Sequence, residues 1–229
     1  MIKFSNTEVM NFEGAIRGLR NPMNSWDKSD SKFYVKCADC GADDCRLDIP
    51  SIGPNDLTLM KKLIRAGSDH RKFMRQIFVS VDITAPLYWW KEFDTYKVAT
   101  VSNSCSTMHK IHEKEFTIED FSCEYVFNNE NPENVDHLYL WKDMLTELIW
   151  FLNGARNAYL ETKDKKYWWQ IIQLLPSSYN QRRTITLNYE TLYNIYGSRR
   201  NHKLDEWSIG FMNWIKSLPY ANELIIDRS

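Results

Sequence analysis

Two amides and a guanidinium near the C-terminal end, Asn188, Asn194 and Arg199, are the residues whose chemistry is easiest to read from this sequence. A primary amide offers both donors and an acceptor, so it matches the edge of a flat heterocycle whose carbonyls and N–H groups alternate. A guanidinium adds a fixed fork of donors for a carbonyl or a phosphate. The pattern predicts a helix over 189–197 with Asn188 at its N-cap, followed by Asn194 and Arg199 within about three turns, with a bend near Gly197. The expectation is that all three side chains converge on one ring edge. The same residues also read as an N-cap asparagine and two surface polar groups.

Other groups could do chemistry. Cys37-x-x-Cys40-x-x-x-x-Cys45 has the spacing of a metal knuckle, and thiolates so spaced can hold Zn²⁺. A second Cys pair is missing, so Asp43, Asp44 or His70 would have to complete the site. The alternative is a reduced, exposed loop. Cys105 is a candidate nucleophile, or else a small buried residue. Arg182, Arg183, Arg199, Arg200, His202 and Lys203 form a basic cluster that suits phosphate contacts or a solvated surface.

Helices and a few non-consecutive strands have to position these groups. Phe12, Ala15, Ile16 and Leu19 have helical spacing that ends at Asn21-Pro22. Residues 24–53, polar and holding three Cys, read as a loop or insertion. Asn55 caps an expected helix carrying Leu59, Met60, Leu63 and Ile64, with Gly67 past its end. Ser68 caps a short helix through Asp69 and His70. Ile77, Val79, Val81 and Ile83 alternate as a strand that Pro86 stops, and an aromatic helix over 87–93 follows. A further strand is expected over 98–101 and a loop at 128–132. Trp141, Leu145, Leu148, Ile149 and Leu152 line a long helix that Gly154 breaks; Tyr167, Trp168, Ile171 and Ile172 line another, stopped by Pro176. Residues 183–187 suit a strand, and Trp207, Phe211, Trp214 and Ile215 a last helix. The class is α+β in one domain over 1–229, with a mixed or antiparallel sheet flanked by long helices.

Composition narrows the classes. With 229 residues, 43% hydrophobic and 14% aromatic, the chain can bury a sizeable core. Nine Trp and twelve Tyr imply a core and an oligomer interface rich in aromatics, or one or two rings that stack on a ligand. A net charge of −1 argues against general nucleic-acid binding. No secretory signal or apolar stretch of bilayer length is expected, and the odd number of Cys argues against a disulfide framework, so the reading is a cytoplasmic protein.

The run from Leu175-Pro176 through Thr186, Asn188, Leu192, Asn194 and Arg199 resembles, without a gap, the segment of flavin-dependent thymidylate synthases that holds flavin and uracil. Ser68-Asp69-His70, the strand to Pro86 and the aromatic helix look like that family's Ser-Pro-x-Glu-His motif and the elements after it. The resemblance spans about 54–105 and 137–215. It implies that family's α+β fold, FAD as cofactor, a pyrimidine nucleotide such as dUMP as partner, and a homotetramer whose flavin sites are shared between subunits. By resemblance His70, Lys97, Asn188 and Asn194 approach the cofactor, Lys97 also being placed for phosphate. Arg199 reaches the uracil and, with Cys105 at the family's serine position, stands nearest the chemistry. Apart from the resemblance, Arg182 and Arg183 of the basic cluster are candidates to bind the substrate from a new direction, or else part of a solvated basic surface. His70 reads equally as a solvated or structural histidine.

The departures are specific. The family's Arg-His-Arg, and the Ser that follows it after seven intervening residues, fall here on Thr95-Tyr96-Lys97 and Cys105. The residues flanking that serine become Asn103 and Thr107, and an arginine before Leu-Pro becomes Ile172. A lysine is a point charge and does not replace a bidentate fork. Two classes follow. One is a divergent flavin enzyme on a pyrimidine nucleotide, using methylene-tetrahydrofolate and NADPH only if the family's methylation is retained. The other is a non-catalytic nucleotide or protein binder of phage or mobile-element type.

Overall fold

The computed structural model describes residues 2–35, 45–127 and 138–227. In chain order the elements are β1 (Lys3–Met10), α1 (Phe12–Arg20), β2 (Lys32–Val35), β3 (Cys45–Ser51), α2 (Pro54–Arg65), β4 (Phe78–Pro86), α3 (Leu87–Phe93), β5 (Val101–Ser104), α4 (Glu124–Phe127), α5 (Leu138–Thr162), α6 (Lys165–Leu174), β6 (Asn180–Asn188), α7 (Tyr189–Arg199) and α8 (Met212–Lys216). One four-stranded sheet runs in the order β1-β4-β6-β5, and β2 pairs antiparallel with β3. The α+β class holds.

Backbone proximity divides the chain into two compact units. One comprises 1–3, 82–95 and 103–184; the other comprises 4–81, 96–102 and 185–229. In the first, Phe116, Phe121, Leu152 and Ile171 are buried together, with Leu145, Leu148, Trp168 and Tyr179 packed against them. Trp89, Trp90 and Phe93 of α3 are buried and packed ring on ring. In the second, Phe12, Ala15, Ile16 and Leu19 of α1 are buried at helical spacing. Ile77 and the alternating Val79 and Val81 are buried, as are Tyr189, Leu192 and Ile195 of α7 and Trp207 and Phe211 beyond it.

Several expectations are corrected. Residues 24–53 hold more than a loop: Lys32–Val35 is rich in β-formers and pairs with Cys45–Ser51 through Tyr34↔Arg46 and Val35↔Cys45. The α2 cap is Gly53, with Pro54 first in the helix, rather than Asn55. The carboxylate of Asp30 accepts from the N–H groups of Asn55 (2.9 Å) and Asp56 (3.1 Å), so a distant side chain satisfies the first turn. A Cβ on Gly53 would lie 2.2 Å from Asp30 Cγ, which is why glycine stands there. Gly67, with φ +105°, follows α2 as expected.

Residues 68–70 form a turn, and a 3₁₀ helix, Arg71–Gln76, comes after them rather than a helix capped by Ser68. The short strand lies at Val101–Ser104 instead of 98–101. α5 runs through Gly154 and α7 through Gly197, because packing decides more than one glycine's cost of about 1 kcal/mol. The last helix begins as a π-helix over Glu206–Phe211 before α8.

Candidate functional site

The second unit holds the residues that read as a ring-binding set. Asn188 has extended backbone, φ −132°, and opens α7. Its Oδ1 accepts from the Thr191 N–H at 2.9 Å and from Thr191 Oγ at 3.1 Å. The capping role expected from sequence is therefore real. It also commits the side-chain oxygen to two hydrogen bonds. Asn194 is exposed. At 100° per residue it points about 140° away from Arg199 around α7, while Asn188 and Arg199 lie about 16 Å apart along the axis. The expected convergence on one ring edge is corrected on that ground: the three groups occupy different places on the helix.

Arg199 has a built environment. Its Nε–H donates to Tyr96 Oη at 2.7 Å, and its Cζ lies 5.0 Å from the Trp207 ring centroid and 5.6 Å from that of Tyr96. Tyr96 and Trp207 meet edge to face, 6.1 Å between centroids. Aromatic faces favour a cation, so the two rings and the phenol oxygen hold this guanidinium together. Lys97 follows Tyr96 in the chain and is exposed. His70 is exposed and lines a hollow of about 500 Å³, together with Leu19, Leu63, Asp69, Lys72 and Phe73. Apolar walls with a few cationic or polar groups are what a cofactor ring or nucleotide needs.

Sequence reasoning missed Glu190. It is buried, and it accepts from Arg71 Nε at 3.1 Å and from Arg75 through Nε and Nη2. Arg71 also lies 4.6 Å from the Tyr193 ring centroid. Burial pushes the Glu190 carboxyl up, but hydrogen bonds from Arg75 and Arg71 outweigh it and hold the pKa below the ordinary glutamate value. Arg20 and Asp56 form a second missed pair, both buried, Nε–Oδ1 2.7 Å. Ser29 Oγ at 2.8 Å and Ser31 Oγ at 2.6 Å donate to the other Asp56 oxygen. Each acid stands in the first turn of a helix, where a carboxylate is favoured, and that was the one signal available.

In the first unit the two candidate substrate arginines are engaged. Arg182 Nη2 donates to Asp82 Oδ2 at 2.5 Å, and Thr184 Oγ donates to the other Asp82 oxygen. Arg183 lies 4.2 Å over the Trp90 ring and donates to Gln181 Oε1 at 2.9 Å and Asp94 Oδ1 at 2.7 Å. A buried acid within an apolar strand needs a partner, so Asp82 could have announced Arg182. Cys105 is exposed rather than buried. Its backbone N–H donates to Arg182 O at 2.9 Å, and Gln181 Nε2 donates to its carbonyl at 2.7 Å.

Cys37 and Cys40 lie outside the described residues, and Cys45 opens β3. Among the described residues no three His, Cys, Asp or Glu side chains are grouped to hold a metal. Nor is any described helix long and apolar enough to cross a membrane.

Two solved structures of thymidylate synthase X from Helicobacter pylori, each with FAD and dUMP, are similar to this chain. One matches at TM-score 0.64 and 14% identity, covering 98% of this chain and 97% of its own. The fold is that of a flavin-dependent thymidylate synthase. The other matches at TM-score 0.63 and 14% identity, covering 96% and 98%. No family model matches the sequence, and none of the curated proteins does. The thymidylate synthase fold is thus shared over nearly the whole length.

Proposed function

We propose that this chain binds FAD and a pyrimidine nucleotide of the dUMP type on a thymidylate synthase scaffold. The observation that carries the reading is the fold match over 98% of the chain to structures that hold both ligands. The residues of the second unit suit such ligands. FAD, when bound, supplies hydride chemistry. Asn194 offers a whole amide to the flavin ring, Asn188 offers its amide donors, and His70 stands at a hollow of suitable volume. Arg199 serves the uracil carbonyl, and Lys97 adds charge for a phosphate.

Asn194 faces away from Arg199, which fits a flavin held against a neighbouring copy of the chain. Association is further supported by α5 and α6, which expose Met144, Trp150, Phe151, Trp169 and Leu174. Light scattering of the purified protein decides this; a tetramer is the expected size.

Methylation of dUMP is not part of the reading. Thr95-Tyr96-Lys97 and Cys105 stand where the family has Arg-His-Arg and Ser. A second reading, binding without turnover, is favoured by the ion pairs that compensate Arg182 and Arg183. The deciding experiment has two steps. The visible spectrum of the purified protein, with and without added FAD, is expected to show bound flavin, and dialysis against dUMP is expected to show retention. A protein that takes up neither ligand sinks the proposal. NADPH consumption by the flavin-loaded protein in the presence of dUMP then separates a flavin enzyme from binding without turnover.

A further inference from the structure

We infer that Gln76 reads the edge of the flavin ring, and that Gly18 of α1 is the positioning residue that lets it do so. Both residues line the hollow of about 500 Å³ in the second unit. Leu19 and Phe73, both buried, give that hollow apolar walls. Gln76 closes the 3₁₀ helix Arg71–Gln76, and its side-chain amide makes no hydrogen bond among the described residues. A primary amide supplies two donors and an acceptor, which matches the carbonyl, N–H and carbonyl that follow one another on the flavin's pyrimidine edge. The three-ring system of a flavin also fills a hollow of this size better than the single ring of a uracil does.

Two glycines about one turn apart on α1 set where that amide lies. A Cβ on Gly14 would come 2.3 Å from Asn11 Oδ1, and one on Gly18 would come 2.6 Å from Gln76 Oε1. The space at Gly14 admits the Asn11 amide, whose Nδ2 donates to the Gln76 carbonyl at 2.9 Å. The space at Gly18 admits the Gln76 side chain itself. Backbone and side chain of Gln76 are thus both held against α1. Glycine weakens a helix interior relative to alanine, so its use at both points calls for a reason of this kind. Next in the chain, the Ile77 carbonyl accepts from the Tyr189 N–H at 3.0 Å. The residue after Gln76 is therefore joined to the residue after Asn188, which brings the edge of the hollow to the start of α7.

The inference rests on the proposal that the chain binds FAD. FAD affinity, followed by quenching of flavin fluorescence, and melting temperature are measured for the parent, Gln76→Ala, Gly18→Ala and the double variant. Gln76→Ala is expected to bind FAD about tenfold more weakly, as the loss of one or two hydrogen bonds predicts. Gly18→Ala is expected to weaken FAD by a similar factor while melting no lower than the parent. Its methyl raises helix propensity and displaces only the end of a flexible side chain. The double variant is expected to bind no more weakly than Gln76→Ala, since the methyl acts through the amide.

FAD affinity unchanged in Gln76→Ala overturns the inference and leaves the FAD reading standing, whatever the variant does to dUMP. A Gly18→Ala protein that binds FAD as the parent does, or that melts lower, overturns the positioning role. So does a double variant clearly weaker than Gln76→Ala, because the methyl would then obstruct the hollow rather than move the amide. A parent protein that takes up no FAD overturns the inference and the proposed function together.

Discussion

Glu190 Oε1 lies 3.1 Å from Arg71 Nε, and the other Glu190 oxygen accepts from Arg75, so one acid in the first turn of α7 ties down two arginines of the 3₁₀ helix Arg71–Gln76. Side-chain exposure is 10% for Glu190, 15% for Arg71 and 50% for Arg75, so the Arg71 contact is the better shielded. Because the folded pKa is depressed, the cluster's stability is present above the unfolded value of about 4.3 and is lost as pH falls through the folded pKa. Glu190→Gln is expected to cost about 2 kcal/mol at pH 7, below the usual loss for a fully buried pair because Arg75 is half exposed. Its melting temperature should also fall less steeply than the parent's below about pH 4. Thermal melts from pH 7 to 3 check both; parallel curves would remove the carboxylate from the account.

Asn188 does two jobs under the proposed function, and one substitution separates them. Serine caps helices about as well as asparagine but lacks the amide N–H groups. Asn188→Ser is expected to change stability by less than about 0.5 kcal/mol, and Asn188→Ala to cost about 1 kcal/mol. If the amide meets the flavin, Asn188→Ser lowers FAD uptake despite normal urea unfolding. Full flavin occupancy in Asn188→Ser would leave the residue a cap and nothing more.

Asp56 is expected to be the most damaging single polar position. It receives Arg20, Ser29 Oγ, Ser31 Oγ and two backbone N–H groups, and its side chain is fully shielded. Asp56→Ala leaves Arg20 buried and unpaired, at a cost of about 3 to 5 kcal/mol, read by urea denaturation. Serine-to-alanine changes at Ser29 or Ser31 should each cost about 1 kcal/mol.

Arg183 is stacked on Trp90 and forked to Gln181 and Asp94. Lysine keeps the charge and loses both the fork and the flat stack. Arg183→Lys is expected to cost about 1 kcal/mol, read as a shift in the urea midpoint followed by tryptophan fluorescence. Unchanged stability with weakened dUMP binding would return Arg183 to the ligand.

The elements that periodicity governs were legible. Phe12 to Leu19, Ile77 to Ile83, Leu87 to Phe93 and Tyr167 to Ile172 carry their burial pattern in sequence, and the structure places them as read. Elements set by distant partners were not. Asp30 holding the first turn of α2, and the pairing of Lys32–Val35 with Cys45–Ser51, depend on chain returning from far away. The same holds at the candidate site. Asn188 as a cap is a local event and could be read. The phenol of Tyr96 on Arg199 joins residues 103 apart, and no spacing rule announces it.

β6 gives the chain a narrow tolerance in one place. Along it Gln181, Ile185 and Leu187 are buried while Arg182 and Thr184 are exposed, and Asn188 at its end starts α7. Strand geometry turns every side chain over for each residue added or removed. A single insertion between Thr184 and Ile185 would either present two aliphatic side chains to water or carry Asn188 past the point from which it can reach Thr191. Length variation in this protein therefore belongs elsewhere, and homologues that share the fold should keep this stretch free of gaps even where nearly every residue in it has changed.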